Sequence, residues 1–280
     1  MVLPRAWFSL MLAIFFLLTA ASPSRGEAYV EFYLGGLQLF FDGVNIDGDN
    51  YPDGQDGTQV ISQTEHCTID PALVIGLKAG TWFVPKGFLG FRYPPWMRYF
   101  GCYVDFSFHR LNFSRDVDST PINYGGGLLR SFTENKFYSD GHAFTLAFMV
   151  SARYGFFPSE QVPFGRLQAY VGVGPGLFIA NQDVTLHTRS YRPRKHTFTP
   201  YADISPPSSK TSVTVCLVTD AGVRWYFNRR LSLDFFFRYR YAQPSFTYDY
   251  INPVSHKPTS FQMNPVLHLY SLNLGLAYHF

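Results

Sequence analysis

Three groups of side chains in this 280-residue chain have types and spacings that can do chemistry. The first is acidic. From Asp42 to Asp70 there are seven carboxylates and no Lys or Arg. Within that stretch Asn45, Asp47, Asp49, Asp53 and Asp56 fall on ligand positions of the twelve-residue calcium-loop pattern, and Tyr51 falls where a backbone carbonyl is used. Hard oxygen ligands at this spacing suit Ca²⁺. Two departures weaken the match: Asn50 stands where Gly is usual, and Asp56 is shorter than the usual Glu. The competing reading is a solvated Asp/Gly turn run. The second group is basic. Arg189, Arg192, Arg194, Lys195 and His196 cluster around Tyr191. Such a patch can grip phosphates or an acidic partner, or be only a solvated face. The third group is a set of nine charges scattered through segments that alternate apolar and polar residues: Glu31, Asp105, Asp220 and Asp234 against Lys78, Arg153, Arg224, Arg238 and Arg240.

Catalytic constellations are weak by comparison. His268 and Ser271 are three apart, which puts them on opposite faces of a strand. His142 follows Ser139 and Asp140 out of phase. His109 shares a face with Ser107, yet no carboxylate is spaced to orient it. Three Cys without a CxxC pair make neither a disulfide framework nor a zinc site. No enzyme is expected.

These groups must be held by something, and composition restricts what. Charged residues are 15% and aromatics 19%, which excludes a disordered chain. A net charge of +3 spread along the sequence gives no footprint for nucleic acid. Only residues 8–21 form a long apolar run, too short for a spanning helix. That run follows Arg5 and precedes small residues, so residues 1–28 read as a signal peptide, cut after Ala21 or after Ala28. The rest, 29–280, reads as one domain.

Its segments have period two. In 231–241, Leu231, Leu233, Phe235, Phe237, Tyr239 and Tyr241 share one face, and Ser232, Asp234, Phe236, Arg238 and Arg240 share the other. Residues 270–280 and 213–227 behave alike. So, less cleanly, do 29–41, 72–83, 99–110, 142–154 and 167–179, giving eight strands. The first loses phase near Gly35-Gly36, which predicts a bulge there.

Which face lies inside decides the class. The strands have the length of a tilted membrane crossing, small residues crowd the polar face, and aromatics sit near strand ends. The connections 42–71, 111–139, 181–211 and 243–265 are long and alternate with shorter ones, as outside loops alternate with periplasmic turns. A soluble barrel with an apolar cavity gives no reason for that asymmetry. The expected fold is an all-β, eight-stranded, antiparallel up-and-down transmembrane β-barrel, polar face inward. The nine charges then become a lumen network that fills the interior with ion pairs, or alternatively lines a narrow gated pore.

The chain resembles the small outer-membrane barrels of OmpA, OmpX and OmpW type. The resemblance lies in the opening Tyr29-Val-Glu-Phe-Tyr-Leu-Gly-Gly, in Ala169-Tyr-Val-Gly-Val-Gly-Pro-Gly-Leu, in Ala221-Gly-Val-Arg-Trp-Tyr-Phe and in the final Leu274-Gly-Leu-Ala-Tyr-His-Phe280. It is a likeness of pattern over most of the domain. It implies a bacterial outer-membrane location, with Tyr278 and Phe280 as the signal read by the barrel-assembly machinery. It also implies periplasmic chaperones during biogenesis, contact with outer-membrane lipids and lipopolysaccharide, a monomer, and no nucleic acid. The expected role is structural and surface-interacting, with binding carried by the long loops. The alternative is a small passive channel for ions or for small, including apolar, molecules. No cofactor is expected beyond calcium in the first loop.

Overall fold

The computed structural model describes residues 27–49, 59–64, 68–69, 71–84, 93–123, 130–192, 197–198, 202–204, 208–251 and 258–280. The signal segment lies outside them. Eight strands make the wall: β1 (Glu27–Asp49), β2 (Ala72–Trp82), β3 (Phe100–Arg110), β4 (Arg130–Phe156), β5 (Leu167–Arg192), β6 (Lys210–Tyr226), β7 (Leu231–Ala242) and β8 (Pro258–His279). Each pairs antiparallel with its neighbours in sequence, and β8 pairs with β1 from Tyr29↔His279 to Gly48↔Phe261. The ring is closed, so no barrel strand keeps a free edge.

Alternation sets which side chains enter. Val215 is 69% exposed, Phe148 57% and Leu274 53%, all on the outer wall, whereas Arg224, Arg238 and Asp234 are 2% exposed or less inside it. Inner glycines make recesses for large inner side chains. A Cβ on Gly76 would collide with the Tyr33 ring, and one on Gly275 would crowd the Glu31 carboxylate. Pro175 lies within β5, and the β4–β5 ladder lacks the pairs that Phe148 and Met149 would make there. A residue without an N–H leaves such a gap.

The two ends differ. At one end the connections are the segment with the short 3₁₀ turn Pro95–Tyr99, residues 157–166, and 227–230. The last is an Asx-type turn: the Asn228 side-chain oxygen accepts the N–H groups of Arg230 (2.8 Å) and Leu231 (2.9 Å). Gly165 supplies the left-handed conformation (φ 125°) that the 157–166 turn needs. Both barrel ends of the chain sit here, tied by Phe280 N–H to the Ala28 carbonyl (3.0 Å).

At the other end the segments expected as long loops continue the wall. β1 runs on to pair with Gln59–Thr64, β4 with Phe113–Asn123, and β8 with Phe246–Ile251. β5 runs on to Arg192 and pairs there with Ala202–Ile204 and Thr197–Phe198. The bulge is also displaced from its expected place. Register is unbroken through Gly35 and Gly36, and the irregularity lies between Phe41 and Val44. The phase looked lost because Tyr33 and Leu37 point inward while Gly36 faces out into open space.

Candidate functional site

The lumen is where the chemistry-bearing residues converge. From bottom to top the inner faces of β8 and β6 turn from polar to apolar, whereas β3 stays polar through Ser107 and His109. On β8, His279, Asn273 and Ser271 give way to Leu269, Leu267 and Met263; on β6, Arg224 and Asp220 give way to Val218. Between these zones sits a plug of seven charges.

Arg238 on β7 is its centre. Its Nη1 and Nη2 donate to Asp105 Oδ1 (2.6 Å) and Oδ2 (2.9 Å), and its Nε and Nη2 donate to Asp220 Oδ1 (2.7 Å) and Oδ2 (2.8 Å). One guanidinium thus holds two carboxylates in bidentate geometry, pinning β3, β6 and β7 across the interior. The Tyr33 hydroxyl donates to Asp105 (3.0 Å) and the Tyr103 hydroxyl to Asp220 (2.7 Å).

Beside it lies a second cluster. Lys78 Nζ is 3.0 Å from Glu31, 3.6 Å from Asp234 and 3.9 Å from Asp220, and lies over the Phe236 ring. Arg224 pairs with Glu31 and, at 2.9 Å, with Asp234, which also accepts the Tyr170 hydroxyl (2.8 Å). Burying charges is expensive unless partners satisfy them; here carboxylates, cations and three phenols interlock, while Arg224 Nε and Nη1 and Asp234 Oδ1 keep no hydrogen-bond partner.

The nine charges singled out in the sequence therefore do not form one network. Glu31, Lys78, Asp105, Asp220, Arg224, Asp234 and Arg238 come together. Arg153 sits apart near the turn end, paired with Glu27, donating to Gln168 (2.9 Å) and to the Arg98 carbonyl (3.3 Å), between the Trp82 and Phe164 rings. Arg240 sits above the plug, where Thr145 Oγ1 (3.2 Å) is its hydrogen-bond partner. Sequence reasoning missed three features: Glu27, which only one of its two cleavage sites leaves in the mature chain; the phenols Tyr33, Tyr103 and Tyr170; and the apolar upper zone. The inward parity of Tyr33 and Tyr103 was the available signal for the phenols.

The remaining candidates are distributed as follows. Asn45, Asp47 and Asp49 belong to extended β1 backbone, the first two paired on both sides and Asp49 with Gln59 alone; Tyr51, Asp53 and Asp56 lie outside the described residues. Arg189 and Arg192 are on the extension of β5, and Arg194 and Lys195 lie outside the described residues. Tyr278 and Phe280 face outward, their rings packed edge to face at 5.3 Å. Of the Ser/His pairs, Ser139 donates to Gln182 (2.5 Å), His268 meets the Tyr239 hydroxyl (2.8 Å), and Ser107 and His109 are not hydrogen-bonded to each other. Among the described residues no three His, Cys, Asp or Glu side chains gather as a metal site.

An even, closed, antiparallel ring that is apolar outside, charged inside and asymmetric between its ends has one physical interpretation. The chain is a transmembrane β-barrel of the outer-membrane type. No protein-family model matches it, and no curated protein does. Solved structures that match this barrel include the outer membrane protein OprG of Pseudomonas aeruginosa, at 15% identity over 91% of this chain and 98% of that one, TM-score 0.44. Neisserial surface protein A matches at 13% identity over 90% and 97%, TM-score 0.36. The outer membrane protease OmpT of Escherichia coli matches at 10% identity over 92% and 98%, TM-score 0.27. These are likenesses of fold.

Proposed function

We propose that this barrel is a bacterial outer-membrane protein whose lumen serves as an internal strut and whose protruding hairpins bind partners at the cell surface. The observation that carries this reading is the plug. Arg238 joins Asp105 and Asp220 across the interior, and the zone above it is filled by Leu37, Phe178, Leu267 and Leu269, each almost fully buried. An interior so occupied stiffens the wall and leaves recognition to what stands beyond the rim. In this reading Tyr278 and Phe280 are the assembly signal, and Arg189, Arg192, Arg194 and Lys195 meet phosphates of lipopolysaccharide. The acidic segment Asn45–Asp56 takes Ca²⁺. The test is binding of the refolded barrel to lipopolysaccharide micelles, with and without millimolar Ca²⁺. Neutralising the four basic residues lowers affinity while the folded gel band is unchanged; equal affinity in both proteins removes the basic patch from the proposal.

A second reading, passage of small apolar molecules through the wall, has one observation in its favour. A cleft of about 510 Å³ lies beside the ends of β2 and β3, lined by Leu73, Ile75, Phe108, Arg110 and Asn112. Uptake of a fluorescent apolar probe into barrel-bearing vesicles at the rate of empty vesicles removes that reading.

A further inference from the structure

The cleft of about 510 Å³ beside β2 and β3 marks an interruption of the wall. Pairing between the two chain segments ends at Val74↔His109 and resumes at Ile69↔Phe113. Pro71, Ala72 and Leu73 thus lie across from Arg110, Leu111 and Asn112 with no ladder between them. The cause is local. Pro71 has no N–H to offer, and the chain beyond Arg110 ties itself to β4 instead. The Leu111 N–H donates to the Gly141 carbonyl (2.9 Å), and the Asn112 side-chain oxygen accepts the Gly141 N–H (3.2 Å). The opening faces outward and ends blind. Leu73 and Ile75 are exposed on the outer wall and Phe108 is half-buried, whereas Val74, His109 and Leu111 behind them are fully buried.

Polarity along the cleft runs in one direction. From Gly101, at the turn end, to Arg110 the strand β3 advances about 30 Å. At a tilt of about 35–45° that spans the roughly 25 Å apolar band of a membrane barrel. Arg110 therefore stands at the outer interface, with the apolar floor of Leu73, Ile75 and Phe108 just inside it. Arg110 is exposed, and among the described residues no carboxylate pairs with it, not even Asp140, the next outward residue of β4 beyond His142. His142 is the register partner of Arg110 and rests against the Phe108 ring (6.0 Å between centroids), which sets a second nitrogen donor at the same level. A cation at the rim above an apolar floor matches the order of phosphate and acyl chain in the outer leaflet.

We propose that this cleft docks one lipopolysaccharide molecule, with an acyl chain on Leu73, Ile75 and Phe108 and a lipid A phosphate on Arg110 and His142. The guanidinium fork fits a phosphate, and the volume falls within the span of about 300–1,000 Å³ usual for small-ligand pockets. The blind inner end suits a resident chain rather than a traversing molecule. The proposal rests on the outer-membrane reading above, and its site in the wall is separate from the basic patch on the hairpins.

The test is native mass spectrometry of the refolded barrel in detergent micelles, titrated with lipid A and, in separate samples, with phosphatidylglycerol. Wild type is expected to retain one lipid A molecule in a saturable adduct. Arg110→Gln should weaken it about tenfold, the loss of one hydrogen-bonded contact to an ion. Leu73→Trp fills the cleft, keeps the guanidinium and should remove the adduct. Both positions are exposed, so both variants should show the folded gel band; if Leu73→Trp does not, Arg110→Gln decides alone. Neutralising Arg189, Arg192, Arg194 and Lys195 should leave the adduct in place. An adduct of wild-type strength in Arg110→Gln, one lost only with the hairpin charges, or phosphatidylglycerol held as tightly as lipid A would overturn the proposal. Binding in micelles does not depend on where the protein resides, so such a failure leaves the outer-membrane reading standing.

Discussion

Removing the Arg238 guanidinium probes the plug most severely. Arg238→Met deletes four charge-assisted hydrogen bonds, 2.6–2.9 Å long, and leaves Asp105 and Asp220 buried opposite a thioether. Removing one partner of a buried pair costs about 3–5 kcal/mol, because the remaining charge has lost its compensation. Here two carboxylates are stranded together, so the loss should reach the upper end of that range or exceed it. Lys78, 3.9 Å from Asp220, is too far away and too committed to Glu31 to take over. A triple change, Asp105→Asn and Asp220→Asn with Arg238→Met, removes the charges as a set. Since whole buried ion clusters are often replaceable without loss, it should recover about 2 kcal/mol or more of what the single change forfeits. Urea unfolding of each variant in lipid vesicles, followed by tryptophan fluorescence and the heat-modifiable gel band, measures both quantities. A single variant within about 1 kcal/mol of wild type, the range of a weak surface pair, would refute the reasoning. So would a triple variant no better than the single one.

Other consequences follow from the same geometry. Leu274→Arg places a charge on the lipid-facing wall and should destabilise the barrel by about 2–4 kcal/mol in bilayers; the same urea titration checks it. Gly76→Leu drives a side chain into the Tyr33 ring, and overpacking of that kind should cost about 1–3 kcal/mol and lower refolding yield. Glu27 pairs with Arg153, and the Ala28 carbonyl accepts Phe280 N–H. A cut after Ala28 would strip both, so the mature chain should retain them, as cleavage after Ala21 does. Intact mass of protein from native membranes decides this, and a chain beginning at Tyr29 contradicts it.

Much of this barrel could be read from period two because its two faces differ so sharply in chemistry. β7 is the clearest case: Phe235, Phe237 and Tyr239 face out, Asp234, Arg238 and Arg240 face in, and both sets lie where alternation puts them. The reading failed where the contrast fades. In β1 two large apolar residues, Tyr33 and Leu37, occupy the inner face and a glycine the outer one, so a regular strand imitated a bulge. Above the plug the inner face is itself apolar, which erases alternation along Leu267–Leu269 and hid the continuation of β8 and β5 into long hairpins. The lumen charges were legible as a set but not as pairs. Arg238 and Arg240 are two residues apart on one face of one strand, indistinguishable by spacing. What separates them is register across the barrel: Arg238 lies opposite Asp220, whereas Arg240 lies opposite Val218. Pairing of that kind comes from strand stagger, which hydrophobic patterning sets only by way of the whole ring.

The central claim is that the interior of this barrel is closed by its own ion pairs. Conductance of the refolded wild-type protein in planar bilayers tests it most directly, once the heat-modifiable band shows that the barrel has folded. The account predicts a quiet membrane, with no discrete steps at either polarity. Reproducible single-channel steps from the folded wild-type protein would contradict it.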